Sequence, residues 1–192
     1  MTELVLDAAR SRVRIQTFAE GLLARLAHNL ELHCGELSGA ASHEGKTGTA
    51  SIEAPLRGIT VAGVLGKDGR TDDRGLSPAE RRDAIAKMQH DVFHSGAEGI
   101  VRVEAHLDGD AARVRIVPPN DRSVETVIRP DVRTEGDKVR ATGTFEISLA
   151  AIGSDVVKGP MNAFRVKDKV KVIFELVFAA AGSTAQDDDQ PA

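Results

Sequence analysis

Two histidines in this chain have the spacing of metal ligands. His90 and His94 stand four residues apart in HDVFH, like two zinc ligands on a protease helix, with Asp91 where a general-base glutamate would stand. A catalytic zinc needs three protein ligands and an open position, and no third ligand follows at a recognisable spacing. Both histidines also fall opposite the apolar stripe of the predicted helix. We therefore predict solvent-exposed histidines and no metal.

A second group, His28, His33 and Cys34, resembles a soft-metal cluster on paper. Successive side chains of a strand point to opposite faces, so His33 and Cys34 cannot share a side. Cys34 falls on the apolar face with Leu30 and Leu32. We predict a buried, unreactive Cys34 and an outward His33. His28 falls on the same face of the predicted strand as Cys34. Because it is the first residue of that strand, it would lie at the entrance of an interior cavity, so it is the histidine most worth testing.

Other catalytic signatures are absent from the sequence. No G-x-S-x-G turn, phosphate-binding glycine loop or dinucleotide fingerprint is present. Five basic residues near the C-terminus have two interpretations. We favour a solvent-exposed face of a strand and a loop, and the alternative is a site at the mouth of a barrel that contacts an anionic group. The five residues are Lys158, Arg165, Lys167, Lys169 and Lys171.

Alternating apolar and polar residues predict the elements that would position these groups. Tight turns at Gly109 and Gly136 predict antiparallel hairpins, and Pro118 ends a strand. Eight strands are predicted, at residues 11–18, 28–37, 47–56, 100–107, 111–117, 122–133, 138–149 and 169–179.

One helix is predicted, over residues 78–94. Ser77 and Glu80 have the spacing of a capping box, Pro78 suits the first helical position, and Gly96 supplies the stop. Its apolar stripe should pack on the sheet. The stripe consists of Ile85, Met88 and Val92.

Composition limits the class of protein. The chain has 192 residues, a net charge of −4, one cysteine, and neither Trp nor Tyr. We expect one domain over residues 1–180, a disordered acidic tail at 181–192, and no disulfide within the chain. No apolar run approaches the roughly 20 residues of a membrane-spanning helix, and no signal peptide is recognised, so we expect a cytoplasmic protein. The charge argues against nucleic acid as a partner.

The order of motifs resembles the YceI family of lipocalin-like, polyisoprenoid-binding proteins over about residues 4–179. Asp7, Ser11 and Val13 resemble the family's opening motif, with Arg10 where histidine is usual. Leu37, Ser38 and Gly39 resemble its F-S-G turn, and the string TGTFEISLAAIG resembles its late strand. The resemblance implies an eight-stranded antiparallel β-barrel with a capping helix and an elongated apolar cavity.

The function implied by this resemblance is non-enzymatic binding or transport of an isoprenoid or other long-chain amphiphile, without cofactor or metal. A filled barrel acting as a protein-interaction or structural module is the alternative, and a hydrolase or metal enzyme ranks last. Assembly as a homodimer is left open. Nine residues on the apolar strand faces are the candidate cavity lining: Leu30, Leu32, Ile52, Leu56, Val103, Phe145, Ile147, Phe174 and Leu176.

Overall fold

The computed structural model describes residues 2–21, 27–159 and 163–180. Its first strands are β1 (Thr2–Leu6), β2 (Arg12–Thr17), β3 (Ala19–Glu20), β4 (Leu30–Cys34), β5 (Ser38–Glu44), β6 (Thr47–Pro55), β7 (Ile59–Leu65) and β8 (Thr71–Asp72). A helix, α1 (Pro78–Lys87), follows. The later strands are β9 (Ile100–Asp108), β10 (Ala111–Val117), β11 (Val124–Ile128), β12 (Asp131–Glu135), β13 (Lys138–Ser148), β14 (Arg165–Val166) and β15 (Lys169–Ala180).

Within the described residues, thirteen strands form one sheet, in the order β11-β10-β9-β6-β5-β1-β15-β2-β4-β7-β8. β13 pairs with β15, and β12 pairs with β13. All pairings are antiparallel, and the sheet curls strongly into a half-barrel. The prediction of a mostly β chain with one helix is therefore confirmed. The predicted count of eight strands is not, because the sheet contains more strands than the alternation indicated.

Each of the eight predicted segments contains a strand, and both predicted hairpins form, with φ of 66° at Gly109 and 64° at Gly136. The segment 122–133 is not continuous: it divides at Arg129 and Pro130, and its halves pair with different neighbours. The longer strands that the prediction missed are β1, β5 and β7. Most residues of β5 are small, so its two faces hardly differ in hydrophobicity and the alternation is weak.

β15 is the strand on which three branches of the sheet meet, through β13, β2 and β1. One edge pairs with β13 from Lys169 to Ala179, while the other edge is shared by β2 and β1. Between the stretches of β15 that pair with β1 and with β2, Val177 forms its hydrogen bonds with residues of the segment that connects β1 to β2. Its N–H donates to Ser11 Oγ at 3.0 Å, and its carbonyl accepts from Asp7 N at 2.8 Å and Ser11 Oγ at 3.4 Å. Ser11 thus satisfies backbone groups at the fork in the sheet.

The helix begins as predicted and ends earlier. The side chain of Ser77 accepts from Glu80 N at 3.3 Å, and Glu80 Oε2 accepts from Ser77 N at 2.8 Å, which completes the capping box. The α-helix ends at Lys87 and continues as a π-helical turn, Met88–Val92, rather than as α-helix to residue 94. Its apolar face packs on the sheet as expected.

Two parts of the interior differ in how they are filled. Around Leu32, Leu56, Ile59 and Val61, side chains from the sheet pack against the helix. The remainder, beyond the helix, is bounded by two further apolar clusters.

The span 63–76 is rich in glycine and charged residues, a composition that predicts a mobile loop, but it contains the end of β7 and all of β8. The Arg81 guanidinium donates to the carbonyls of Val61, Ala62 and Asp73, which ties this segment to the helix. The expected disordered tail, 181–192, lies outside the described residues.

We predict that Ser11→Ala lowers the free energy of unfolding by about 1–3 kcal/mol, because it leaves the N–H of Val177, a residue only 3% exposed, without its acceptor. Denaturant unfolding monitored by circular dichroism measures the change. Ser51→Ala, at an exposed serine of β6, is the control and should stay within about 0.5 kcal/mol of wild type. Equal effects of the two substitutions would contradict the role given to Ser11.

Candidate functional site

The candidate site is an apolar cavity of about 180 Å³ inside the curled sheet. Its lining comes from β15 itself, from β1, β2, β5, β6, β9, β10 and β11 on one side of β15, and from β12 and β13 on the other side. Aliphatic and aromatic side chains make up nearly all of it. Among the described residues, none of the lining belongs to the helix. The cavity therefore lies in the part of the interior that the helix does not fill.

Small side chains create the space. Ala41, Ala50 and Ala105 are in register on three adjacent strands, and all three line the cavity. Ala112 and Ala141 add two further methyl groups to the lining. A packed core would place branched or aromatic side chains at several of these positions. The row of alanines instead leaves a gap in the apolar interior.

Two phenylalanines form a wall of this cavity. The ring of Phe174 lies across Gly143 of the neighbouring strand, where an added Cβ would come within 2.6 Å of its Cζ. Phe145 lies beside it with ring centroids 6.2 Å apart and a tilt of 59°. This is a favourable aromatic geometry. Gly143 therefore decides where the Phe174 ring sits.

Polar lining is confined to the end of the cavity near the β5–β6 hairpin. Ser42, His43 and Thr49 line it there, and Ser42 Oγ and Thr49 Oγ1 are hydrogen-bonded at 2.9 Å. His43 pairs in register with Gly48, where a Cβ would lie only 2.7 Å from Ser42 O. Among the described residues that line the cavity, His43 is the only titratable one. Sequence reasoning missed it because β5 was not predicted.

Five of the nine predicted lining residues do line this cavity: Ile52, Val103, Phe145, Phe174 and Leu176. The other four do not. Leu30, Leu32 and Leu56 belong to the cluster that packs against the helix, and Ile147 packs beside Ala112, Val114 and Ile116. The alternation located the inward faces of the strands, but it could not show which part of the interior the helix fills.

The histidines of HDVFH do not keep the helical spacing of two zinc ligands. His90 is exposed within the π-helical turn, and His94 lies beyond it with φ of 48°, so the regular i, i+4 geometry is lost. His94 Nε2 instead donates to Gly153 O at 2.9 Å. In the described part of the chain, no group of three or more His, Cys, Asp or Glu side chains could hold a metal ion.

The cluster of His28, His33 and Cys34 is also dispersed. His28 and His33 are exposed, whereas Cys34 packs between two of the apolar clusters. Burial raises the pKa of the Cys34 thiol to about 12. Cys34 is half-buried and packs on the apolar side of the strand, and the prediction of an outward His33 is confirmed.

The most buried carboxylate, Glu31, lies on the outer face of the sheet and not in the cavity. It is 3% exposed and accepts from Gln16 Nε2 at 2.9 Å, with His33 Nε2 at 3.1 Å and Arg14 at 3.6 Å. Burial alone would raise its pKa, but the hydrogen bonds from Gln16, His33 and Thr71 and the charge of Arg14 together lower it. Glu31 is thus an ionised structural group with its partners in place.

The five basic residues near the C-terminus lie away from the polar end of the cavity. They belong to the segment between β13 and β15 and to the start of β15, at the end of the sheet where Asp155 N bonds to Asp91 O beside the helix. Arg165 pairs with Glu20 at 2.6 Å, and Lys169 with Glu146 at 3.8 Å. None of the five lines the cavity. They form the exposed face that we favoured.

Comparisons with known proteins give a fold and no family. No family model and no curated protein matches the chain. Among solved structures, BcnA of Burkholderia cenocepacia is similar with a TM-score of 0.61 and 14% sequence identity, over 90% of this chain and 98% of that chain. At this identity the likeness concerns the fold alone.

No helix in the described ranges is long and apolar enough to cross a membrane. Cytoplasmic location and dimerisation stay predictions.

We predict that Cys34 resists thiol reagents in the folded protein. A thiol with a pKa near 12 stays protonated at neutral pH, and only the thiolate reacts rapidly. Labelling with a chromogenic disulfide should be slow in buffer and fast in denaturant. Rapid stoichiometric labelling of the native protein would contradict the packing described for this residue.

Proposed function

We propose that this protein binds a long-chain apolar or amphiphilic molecule in the cavity, without catalysing a reaction. The observation that carries the proposal is a cavity lined almost wholly by apolar side chains, with its few polar lining residues grouped at one end. Ligand sites are typically apolar clefts with a few polar groups that fix orientation. The dispersed histidines and the outward Glu31 offer no convergent set for acid–base or nucleophilic chemistry.

The energetics of burial suit such a ligand. Each CH₂ group removed from water contributes about 0.8 kcal/mol, so about 12 of them contribute about 10 kcal/mol. Association costs at least about 4 kcal/mol, which leaves at most about 6 kcal/mol, an affinity of tens of micromolar at best for about 12 CH₂ groups. We further propose that the curled sheet closes into a lipocalin-like barrel around the ligand, with β11 and β12 bridging β10 and β13. The resemblance to YceI proteins supports an isoprenoid chain as one candidate.

Ala105→Leu tests the cavity directly, because the new side chain points into it. In an open cavity the added carbons meet no close neighbour, so the free energy of unfolding should fall by less than about 1 kcal/mol or rise. A fully packed core would lose about 1–3 kcal/mol. Affinity for Nile red, an uncharged apolar dye, should fall about tenfold, as if about two CH₂ groups lost burial. Denaturant melts and dye titrations measure both quantities.

Ala84→Leu is the matched control. Ala84 lies on the helix and packs against the other cluster, so this variant should leave dye affinity unchanged. No dye binding to wild type, together with a destabilised Ala105→Leu variant, would reject the ligand-binding proposal and favour a filled interaction module.

A further inference from the structure

We infer that the ligand enters and leaves the cavity through a seam in its wall, between Val124–Ile128 of β11 and residues 143–148 of β13. The inference rests on the proposed function and adds the route by which a ligand reaches the site. Three observations carry it: the missing strand pairing along the seam, the cavity lining on both of its sides, and an exposed apolar side chain beside it.

Within the described residues, the seam is the one break in the strand pairing around the cavity. Starting from β15, the pairing runs through β1, β5, β6, β9 and β10 to β11 in one direction, and through β13 to β12 in the other. β11 pairs only with β10, and residues 143–148 of β13 pair only with β15. A molecule that passes between paired strands must break ladder hydrogen bonds, whereas the seam has no ladder to break.

Pro130 explains why the pairing of β12 with β13 stops at the seam. Asp131 faces Thr142 in that ladder, so the same register continued toward β11 would set Pro130 against Gly143. Proline has no N–H to donate to a ladder, and beyond it the chain pairs with β10 instead. The seam therefore begins at a fixed position in the sequence.

A side-chain hydrogen bond marks the other end of the seam. Asn120, in the connection between β10 and β11, donates from Nδ2 to the carbonyl of Ile152 at 3.0 Å. Ile152 lies in the segment that follows β13. The two strands are thus joined beyond both ends of the seam and unpaired between them.

The cavity lining includes side chains from both sides of the seam. Ile128 of β11 and Phe145 of β13 line the cavity. Val124 and Ile147, on the same two strands, pack with them on the cluster of Ala112, Val114 and Ile116. The inner side of the seam is therefore apolar, and its side chains can move apart without breaking a ladder.

An exposed apolar side chain lies on the outer side of the seam. Val127 of β11 is 68% exposed, between Glu125 and Arg129 on the outer face of the same strand. A single exposed apolar residue is ordinary on a protein surface. Val127 supports a ligand route because its own strand and the facing strand carry apolar side chains on the inner side of the seam.

The test is the rate at which Nile red exchanges when the seam is cross-linked. Val127→Cys with Glu146→Cys places one exposed thiol on each strand, since continuation of the β12–β13 register would set these residues opposite each other. All variants also carry Cys34→Ala, so that only the introduced thiols react. A bis-maleimide with a disulfide in its spacer joins the two cysteines and is cleaved by reductant.

We expect the cross-link to lower the association and dissociation rate constants of Nile red by the same factor, about tenfold or more, and to leave Kd unchanged. The reason is that it obstructs the route without touching the bound state. Stopped-flow fluorescence measures both rate constants, and reduction of the spacer should restore them in the same sample. Arg129→Cys with Thr144→Cys provides a second pair across the seam with the same expected effect.

Ser51→Cys with Glu104→Cys is the matched control. Both residues are exposed and face each other in register on β6 and β9, where a ladder already joins the strands. The same reagent should therefore leave both rate constants of Nile red unchanged.

The outcomes separate this inference from the proposed function. If Nile red does not bind before cross-linking, the proposed function fails and the inference falls with it. If the dye binds and both rate constants keep their values after cross-linking of either seam pair, the seam is not the route, while ligand binding stands. If the cross-link changes Kd through one rate constant alone, the seam belongs to the binding site and its assignment as a route is overturned.

Discussion

The structure depends on β15 having more neighbours than an ordinary strand. Its one edge pairs with β13 over nearly its whole length, and its other edge serves first β2 and then β1. Backbone groups at such a fork lose their ladder partners, and a buried N–H without an acceptor is costly. Ser11 and Asp7 supply the missing bonds to Val177. The sheet can therefore branch and curl around one interior.

Branching gives that interior two parts with different contents. The branch through β2, β4 and β7 is covered by the helix, whose Ile85 and Met88 complete a packed cluster. Along the branch through β1, β5, β6 and β9, no helix of the described residues lines the cavity, and alanines occupy neighbouring positions in register. Side chains of the helix thus fill one part, and the other part contains the apolar cavity. Ligand binding is the role that this difference supports best.

Sequence reasoning found the features that depend on local chemistry. The capping box at Ser77, the glycine turns at 109 and 136 and the packing of Cys34 against the apolar clusters follow from neighbouring residues and are confirmed. It missed β5, whose small residues hide its alternation, and therefore missed His43. It placed Leu30, Leu32 and Leu56 in the cavity because parity identifies an inward face but not what packs against it. Such assignments depend on contacts between residues that are distant in the sequence, and a single sequence does not reveal those contacts.

Native mass spectrometry of gently purified protein tests ligand binding most directly. The account predicts a second mass series above the bare chain, from a noncovalent adduct that organic extraction releases as a long-chain molecule. Protein stripped by that extraction and refolded should regain a one-to-one adduct when offered dodecanol. Bare protein alone, both as purified and after incubation with dodecanol, would contradict the account and leave the cavity as a packing defect in a structural module.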